Sequence, residues 1–212
     1  SLRMELKGLY AVTPDLADTA YLLRHTHLAL EGGAGLVQYR NKTAGAALRR
    51  EQALGLLGLC RQHGVPLVIN DDLALALDIG ADGAHLGRED GDLAAARAAL
   101  GPGKLLGVSC YDEMERAREA GRIGADYIAF GSFFASPTKP AAVRAPLTLL
   151  GAAKAGLGLP VCAIGGITLQ NAPQLIAAGA DLLAVITDLF EAPDIRARAA
   201  AYTSLFSERV TS

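Results

Sequence analysis

Tryptophan is absent and only 5% of the residues are aromatic. So few rings argue against a platform on which nucleic-acid bases stack. No long basic stripe runs through the chain, and the formal net charge is −2. A duplex would therefore find no counterion-releasing surface. No apolar run reaches the length of a membrane span, and no signal peptide is expected ahead of the first one. There are three cysteines, Cys60, Cys110 and Cys162, without close pairing. They read as reduced thiols of a cytoplasmic protein. Cys162, inside an apolar run, reads as a small core residue, and no companion histidine motif makes Cys110 a nucleophile. A Ser-His-Asp order, a Cys-x-x-Cys pair and a Walker loop are also missing.

The chain is 212 residues long and 51% hydrophobic, enough for one sizeable core. Alanine and glycine are abundant, which suits helices packed closely on strands. Eight short apolar runs stand out: Leu9–Val12, Leu36–Tyr39, Leu67–Ile69, Gly83–Leu86, Leu105–Val108, Tyr127–Phe130, Val161–Ile164 and Leu182–Ile186. They are apolar on both faces, as buried parallel strands are. Helical periodicity fills the gaps, at Leu16–Leu30, Ala46–His63, Leu73–Ile79, Leu93–Leu100, Glu113–Ala120, Leu147–Ala155, Gln170–Ala178 and Ile195–Phe206. Asp92 and Asp112 are placed to cap two of these helices, and glycines close several. The phrase Gly-Ala-Asp recurs at Gly80, Gly124 and Gly179, each time before a strand, with a weaker copy at Gly33. Strand starts fall roughly 16–34 residues apart, near the length of one βα unit. The expectation is a single-domain (β/α)8 TIM barrel, α/β in class, with its core at about residues 8–206. A doubly wound open sheet is the runner-up. Both architectures bind ligands at the carboxyl ends of their strands.

The polar clusters after the strands carry the chemistry. In Gln38-Tyr39-Arg40-Asn41-Lys42, alternation puts Gln38 and Arg40 on one face, with Lys42 in the loop beyond. Two cations and an amide make a receptor for a polyanion, or else a solvated basic loop. Asn70-Asp71-Asp72 follows the third strand, and Asp90 follows the fourth, nineteen residues beyond Asp71. Two carboxylates beside Arg40 and Lys42 would suit Mg²⁺, which takes oxygen ligands and completes its shell with phosphate oxygens. The alternative makes Asp72 a helix cap and Asp71 a turn residue. The stretch Gly131–Pro140 holds two hydroxyls and a lysine, Ser136, Thr138 and Lys139, within four residues. It resembles a phosphate-contacting loop continuing into a lid. Gly165-Gly166 and Ile186-Thr187 follow the seventh and eighth strands, where barrel enzymes often hold a phosphate on backbone amides. His25 and His27 face different ways on one helix, and His63 lies near a helix end. His85, within the fourth strand, reads as structural.

Together these phrases resemble the thiamine phosphate synthase (thiamine-phosphate pyrophosphorylase) family. Gln-Tyr-Arg-Asn-Lys, Ile-Asn-Asp-Asp, His-Leu-Gly-Arg-Glu-Asp, Gly-Val-Ser, Ser-Pro-Thr-Lys, Ala-Ile-Gly-Gly-Ile-Thr and Ala-Val-Ile-Thr stand in the family's order, from Gly8 to about Phe190. The resemblance implies a transferase of thiamine biosynthesis. It would join an aminopyrimidine, carried as its diphosphate, to a thiazole phosphate, with Mg²⁺ as cofactor. Substrate contacts would run through Gln38, Tyr39, Arg40, Asn41, Lys42, Asn70 and Ser109. Ser136, Thr138, Lys139, Gly165, Gly166, Ile186 and Thr187 would complete them. Arg40, Lys42, Ser109 and Lys139 would be the catalytic residues, the three cations neutralising the leaving diphosphate, and Asp71 and Asp90 would bind the metal. Three departures are visible. Ser136 stands where the family often has Thr, Thr187 where it often has Ser, and Pro140 replaces a common second lysine. A thiazole tautomerase of the same superfamily, or a non-catalytic sensor of thiazole phosphate, would not need the acidic and cationic pocket. Neither a nucleic acid nor a membrane is expected as partner, and the sequence leaves a homo-oligomer open.

Overall fold

The structure, a computed structural model, describes residues 5–136 and 144–210. Eight parallel strands close into a barrel in chain order, β1 pairing with β8. They are β1 (Gly8–Val12), β2 (Leu36–Tyr39), β3 (Leu67–Asn70), β4 (Gly83–Leu86), β5 (Leu105–Tyr111), β6 (Tyr127–Phe130), β7 (Val161–Ile164) and β8 (Leu182–Val185). Closure rules out the open sheet. The outer ring consists of α1 (Thr19–Glu31), α2 (Ala46–Gln62), α3 (Leu73–Ile79), α4 (Leu93–Leu100), α5 (Met114–Arg122), α6 (Thr148–Leu157), α7 (Ala172–Ala178) and α9 (Ile195–Val210). One short helix, α8 (Thr187–Phe190), follows β8 directly and was not foreseen. No helix among the described residues is long and apolar enough to cross a membrane.

Side-chain alternation divides the apolar residues into two cores. Leu9, Ala11, Val37, Ile69, Leu86 and Val108 point outward and pack under the helices. Tyr10, Val12, Leu36, Val68, Tyr127, Cys162, Leu182 and Ala184 fill the barrel interior. One interior position has no room for a side chain. A Cβ on Gly107 would lie 2.1 Å from Cζ of Tyr127, so glycine there is what lets the Tyr127 ring cross the barrel.

The recurring Gly-Ala-Asp has a hydrogen-bonding cause. Asp82, Asp126 and Asp181 each stand just before an even-numbered strand. Their carboxylates accept the backbone N–H of Leu67 (2.9 Å), Leu106 (2.8 Å) and Val161 (3.0 Å) on the preceding strand. Each aspartate also donates its own N–H to the carbonyl of that same residue. The motif thus clips β3 to β4, β5 to β6 and β7 to β8 at the barrel floor, away from the mouth.

Several helix boundaries differ from expectation by a few residues, and two of them have a clear local cause. Asp112 does not cap α5. Strand β5 runs on to Tyr111, and Glu113 occupies the cap position without a side-chain bond. The first helix starts at Thr19 rather than Leu16, because Asp18 accepts the N–H of Tyr21 (3.0 Å). Asp92 caps α4 as expected, and Gly80, at φ 67°, ends α3 in the left-handed conformation.

Candidate active site

Strand direction sends every polar cluster to the same end of the barrel. At β1 and β2, the buried Thr13 hydroxyl donates to the Arg40 carbonyl (3.2 Å) and accepts its N–H (3.0 Å). Asp15, from the loop after β1, faces the Arg40 guanidinium at 3.4 Å and accepts the Lys42 N–H at 2.9 Å. Sequence reasoning missed Asp15, because a lone Thr-Pro-Asp carries no motif. Its position after a strand was the available signal.

Beyond β3, the Lys42 ammonium pairs with the Asp71 carboxylate, and that carboxylate is also hydrogen-bonded to Asp90. Asp71 has φ 58°, rare outside glycine, and its N–H donates to the His85 carbonyl (2.9 Å). Asp90 closes a turn by accepting the Gly87 N–H (2.7 Å). The two acids are driven apart in acidity. Burial pushes Asp71 up, but its bonds to Asp90 and Lys42 outweigh that and hold it below the ordinary carboxylate range. Burial, then the bond to Asp71, pushes Asp90 up. Among the described residues, no group of three or more His, Cys, Asp or Glu gathers to enclose a metal. Two adjacent carboxylates nevertheless fit Mg²⁺, which binds through one or two carboxylates plus waters and substrate phosphates.

Asp72 is a helix cap, accepting the Leu75 N–H (3.0 Å), with Arg49 at 3.7 Å. A pocket of about 130 Å³ opens between Tyr39, Asn41, Lys42, Arg49, Asn70, Asp71 and Asp72. Two residues of the predicted basic stretch hold the loop itself. The Tyr39 hydroxyl donates to Gln52 of α2 (2.6 Å). Asn41 donates to Leu16 and Gln52, each at 3.0 Å, and accepts from Thr43 and Ala44.

Inside the barrel, five residues form a continuous polar chain. Gln38 Nε2 donates to the Tyr10 hydroxyl (2.8 Å), which lies 2.5 Å from the Tyr127 hydroxyl. Tyr127 lies 2.8 Å from His85 Nδ1, and His85 Nε2 lies 2.8 Å from Ser109 Oγ. Gln38 and Ser109 were predicted site residues. Tyr10 and Tyr127 were missed because they look like ordinary core aromatics. His85 is 4% exposed, and burial lowers its pKa to about 4.

Across the mouth, the loop after β6 folds over β7. Phe133 and Phe134 donate their N–H groups to the carbonyls of Ile164 (3.2 Å) and Gly165 (3.1 Å). A Cβ on Gly166 would meet the Ala135 and Phe134 carbonyls at 2.6 Å, so this glycine permits the close approach. Ser136 ends the described part of the loop. Thr138, Lys139 and Pro140 lie outside the described residues. Ile186 precedes α8, and Thr187 is its first residue. The next residue, Asp188, anchors the helix by accepting from Leu169 N–H (3.0 Å), Tyr202 (2.5 Å) and Arg198 (2.7 Å). Cys60, Cys110 and Cys162 are all free and buried. Burial pushes the Cys60 and Cys110 thiols up to about 12, so neither offers a thiolate.

Comparison with known proteins places the chain in a family. The family model described as thiamine monophosphate synthase matches residues 9–189. A thiamine-phosphate synthase of Aromatoleum aromaticum is 59% identical over 201 residues, covering 95% of this chain and 97% of that protein. One from an Azoarcus species is 59% identical over 202 residues, covering 95% and 98%. A thiamine phosphate pyrophosphorylase structure from Pyrococcus furiosus superposes with a TM-score of 0.82 at 33% identity, covering 96% of each chain. The chain belongs to the thiamine monophosphate synthase family.

Proposed function

We propose that the protein is a thiamine phosphate synthase. It transfers the 4-amino-2-methylpyrimidine methylene group from its diphosphate to the ring nitrogen of 4-methyl-5-(2-phosphoethyl)thiazole. The products are thiamine phosphate and diphosphate. The observation that carries this reading is the cluster of Arg40, Lys42, Asp71 and Asp90 on one side of a barrel mouth. A glycine-lined loop and a short helix face it from the seventh and eighth strands.

The chemistry is a dissociative substitution. The carbon–oxygen bond to the diphosphate breaks first, and the electron pair leaves with the oxygen. The electron-rich aminopyrimidine stabilises the methylene cation. The thiazole nitrogen then supplies the pair for the new carbon–nitrogen bond. No proton leaves the reacting carbon, so no strong base is required. The three cysteines, all buried, are not needed as nucleophiles in such a reaction.

Arg40, Lys42 and Lys139 would neutralise the departing diphosphate in a setting drier than bulk water, where each donor counts for more. Asp71 and Asp90 would hold Mg²⁺, which supplies further charge neutralisation when bound. Gln38, Asn70 and Ser109 would orient the pyrimidine ring, with Tyr39 and Asn41 shaping the loop beneath it. Ser136, Thr138, Gly165, Gly166 and the Ile186-Thr187 backbone would hold the thiazole phosphate. The cation must also be kept from water, which the two bound substrates packed together at the mouth would do. A cytoplasmic setting goes with this reading, since unpaired thiols suit a reducing compartment.

Calorimetry separates this reading from its rivals. A synthase binds the pyrimidine diphosphate in a Mg²⁺-dependent manner. A thiazole tautomerase or a thiazole-phosphate sensor binds only the thiazole phosphate, and that result would overturn the proposal.

A further inference from the structure

The polar chain inside the barrel has a direction. Gln38 donates to Tyr10, so the Tyr10 oxygen is an acceptor on that side. Its own proton then points to the other neighbour, the Tyr127 oxygen at 2.5 Å. Tyr127, having accepted, passes its proton to His85 Nδ1. A neutral imidazole with Nδ1 accepting carries its proton on Nε2. His85 Nε2 therefore donates to Ser109 Oγ. The ring is neutral on structural grounds: it is 4% exposed, and both nitrogens meet hydroxyl oxygens rather than carboxylates.

The two ends of the chain face the mouth with complementary roles. Ser109 accepts from below, so its own O–H is left to donate outward. Gln38 spends an N–H on Tyr10, so its carbonyl is turned away from Tyr10 and stays available as an acceptor. A 4-aminopyrimidine presents the matching pair, a ring nitrogen that accepts beside an amino group that donates. We propose that Tyr10, Tyr127 and His85 are positioning residues. They form a one-way chain that fixes Ser109 as donor and the Gln38 carbonyl as acceptor toward the aminopyrimidine ring. The proposal rests on the synthase reading for its ligand, but the direction of the chain does not. Both tyrosines and His85 are buried and act through Gln38 and Ser109. Their effect is on ring recognition, which a diphosphate lacking the ring cannot sense.

Two measurements test it. The first needs no ligand. Nitrogen-15 spectra of histidine-labelled protein at neutral pH, assigned by loss of one signal set in His85→Gln, report the His85 tautomer. The expected form is neutral with the proton on Nε2. A proton on Nδ1 would mean that the chain runs the other way and would overturn the proposal.

The second is a double-mutant cycle between Tyr127→Phe and Ser109→Ala. Tyr127→Phe is expected to raise KM for the pyrimidine diphosphate about tenfold, the loss of one good hydrogen bond. KM for the thiazole phosphate and inhibition by inorganic diphosphate with Mg²⁺ should stay within about twofold. Added to Ser109→Ala, it should cost little more, because both cut the same chain. Additive losses, or equal weakening of inorganic diphosphate, would overturn the proposal. Tyr10→Phe cuts the chain one step earlier and gives the same readout if Tyr127→Phe does not fold. Wild-type protein that fails to turn over the two substrates would refute the synthase reading instead, while the tautomer still decides the chain's direction.

Discussion

Asp71 and Asp90 are hydrogen-bonded to one another across the ends of two neighbouring strands, with the Lys42 ammonium on the Asp71 carboxylate. Like charges brought this close do not both ionise readily, and the bond lowers one while raising the other. A divalent cation relieves that conflict, so metal binding should release a proton wherever in the carboxylate range the pair still holds one. Mg²⁺-dependent binding of the pyrimidine diphosphate should therefore weaken as pH falls through the carboxylate range. Calorimetry in buffers of different ionisation enthalpy measures the proton. An affinity flat with pH, with no proton released, would separate these acids from the metal.

Asp71→Ala should reduce turnover by at least about 10²-fold at saturating Mg²⁺, the scale of one lost charge-stabilising group in a dry site. Lys139→Ala should do the same. The fold should persist in both; Asp71 pairs with Lys42 and Asp90 at the barrel mouth rather than packing in the core. Circular dichroism checks the fold and steady-state kinetics the rate. Near-normal rates in both variants would refute the assigned roles.

His85 couples the barrel interior to pH. Burial depresses its folded-state pKa from 6.5 to about 4. Between those values the unfolded chain takes up a proton that the native protein refuses. Stability is thus held above pH 6.5 and lost as pH falls toward 4, by about 3 kcal/mol at the lower end. Urea unfolding of wild type and His85→Gln across this window should give curves that converge at low pH. Parallel curves would show that His85 carries no such linkage.

The barrel floor offers a stability test. Asp126→Ala leaves the Leu106 N–H without its 2.8 Å acceptor and also breaks the 2.8 Å pair with Arg97. A loss of about 1–3 kcal/mol is expected. Thermal denaturation should fall by several degrees, since about 1 kcal/mol moves a chain of this size by roughly 2–4 °C. Activity per folded molecule should be unchanged, because the site lies at the opposite end.

Gly107→Ala should be costlier than a surface glycine change, because the new Cβ would meet Cζ and Oη of Tyr127 at 2.1 and 2.3 Å. Overpacking of this kind costs about 1–3 kcal/mol. Combined with Tyr127→Ala, the two losses should fall short of their sum. Full additivity would mean that the glycine is not there for the ring.

The strands were legible because buried parallel strands leave continuous apolar runs, and β2, β4, β6 and β7 match their predicted bounds. The basic and acidic ends of β2, β3 and β4 were legible for the same reason: polar residues there interrupt such runs. Asp15 was not, since one carboxylate after a Pro carries no spacing signal. Tyr10 and Tyr127 were hidden because a hydrogen-bonded core tyrosine and an idle one look alike in sequence. His85 read as structural, and its ring proves to link Tyr127 to Ser109. Helix α8 spans only Thr187–Phe190, too short for periodicity to register. Asp112 misled because a capping residue is recognised by type, while the real boundary was set by how far β5 runs.

The most direct measurement is product formation from the aminopyrimidine diphosphate and the thiazole phosphate, followed as fluorescent thiochrome after oxidation. Fluorescence is expected only when both substrates and Mg²⁺ are present, and it should vanish with chelator. No thiochrome under any condition, or an equal rate without Mg²⁺, would contradict a diphosphate-releasing site built on Arg40, Lys42, Asp71 and Asp90.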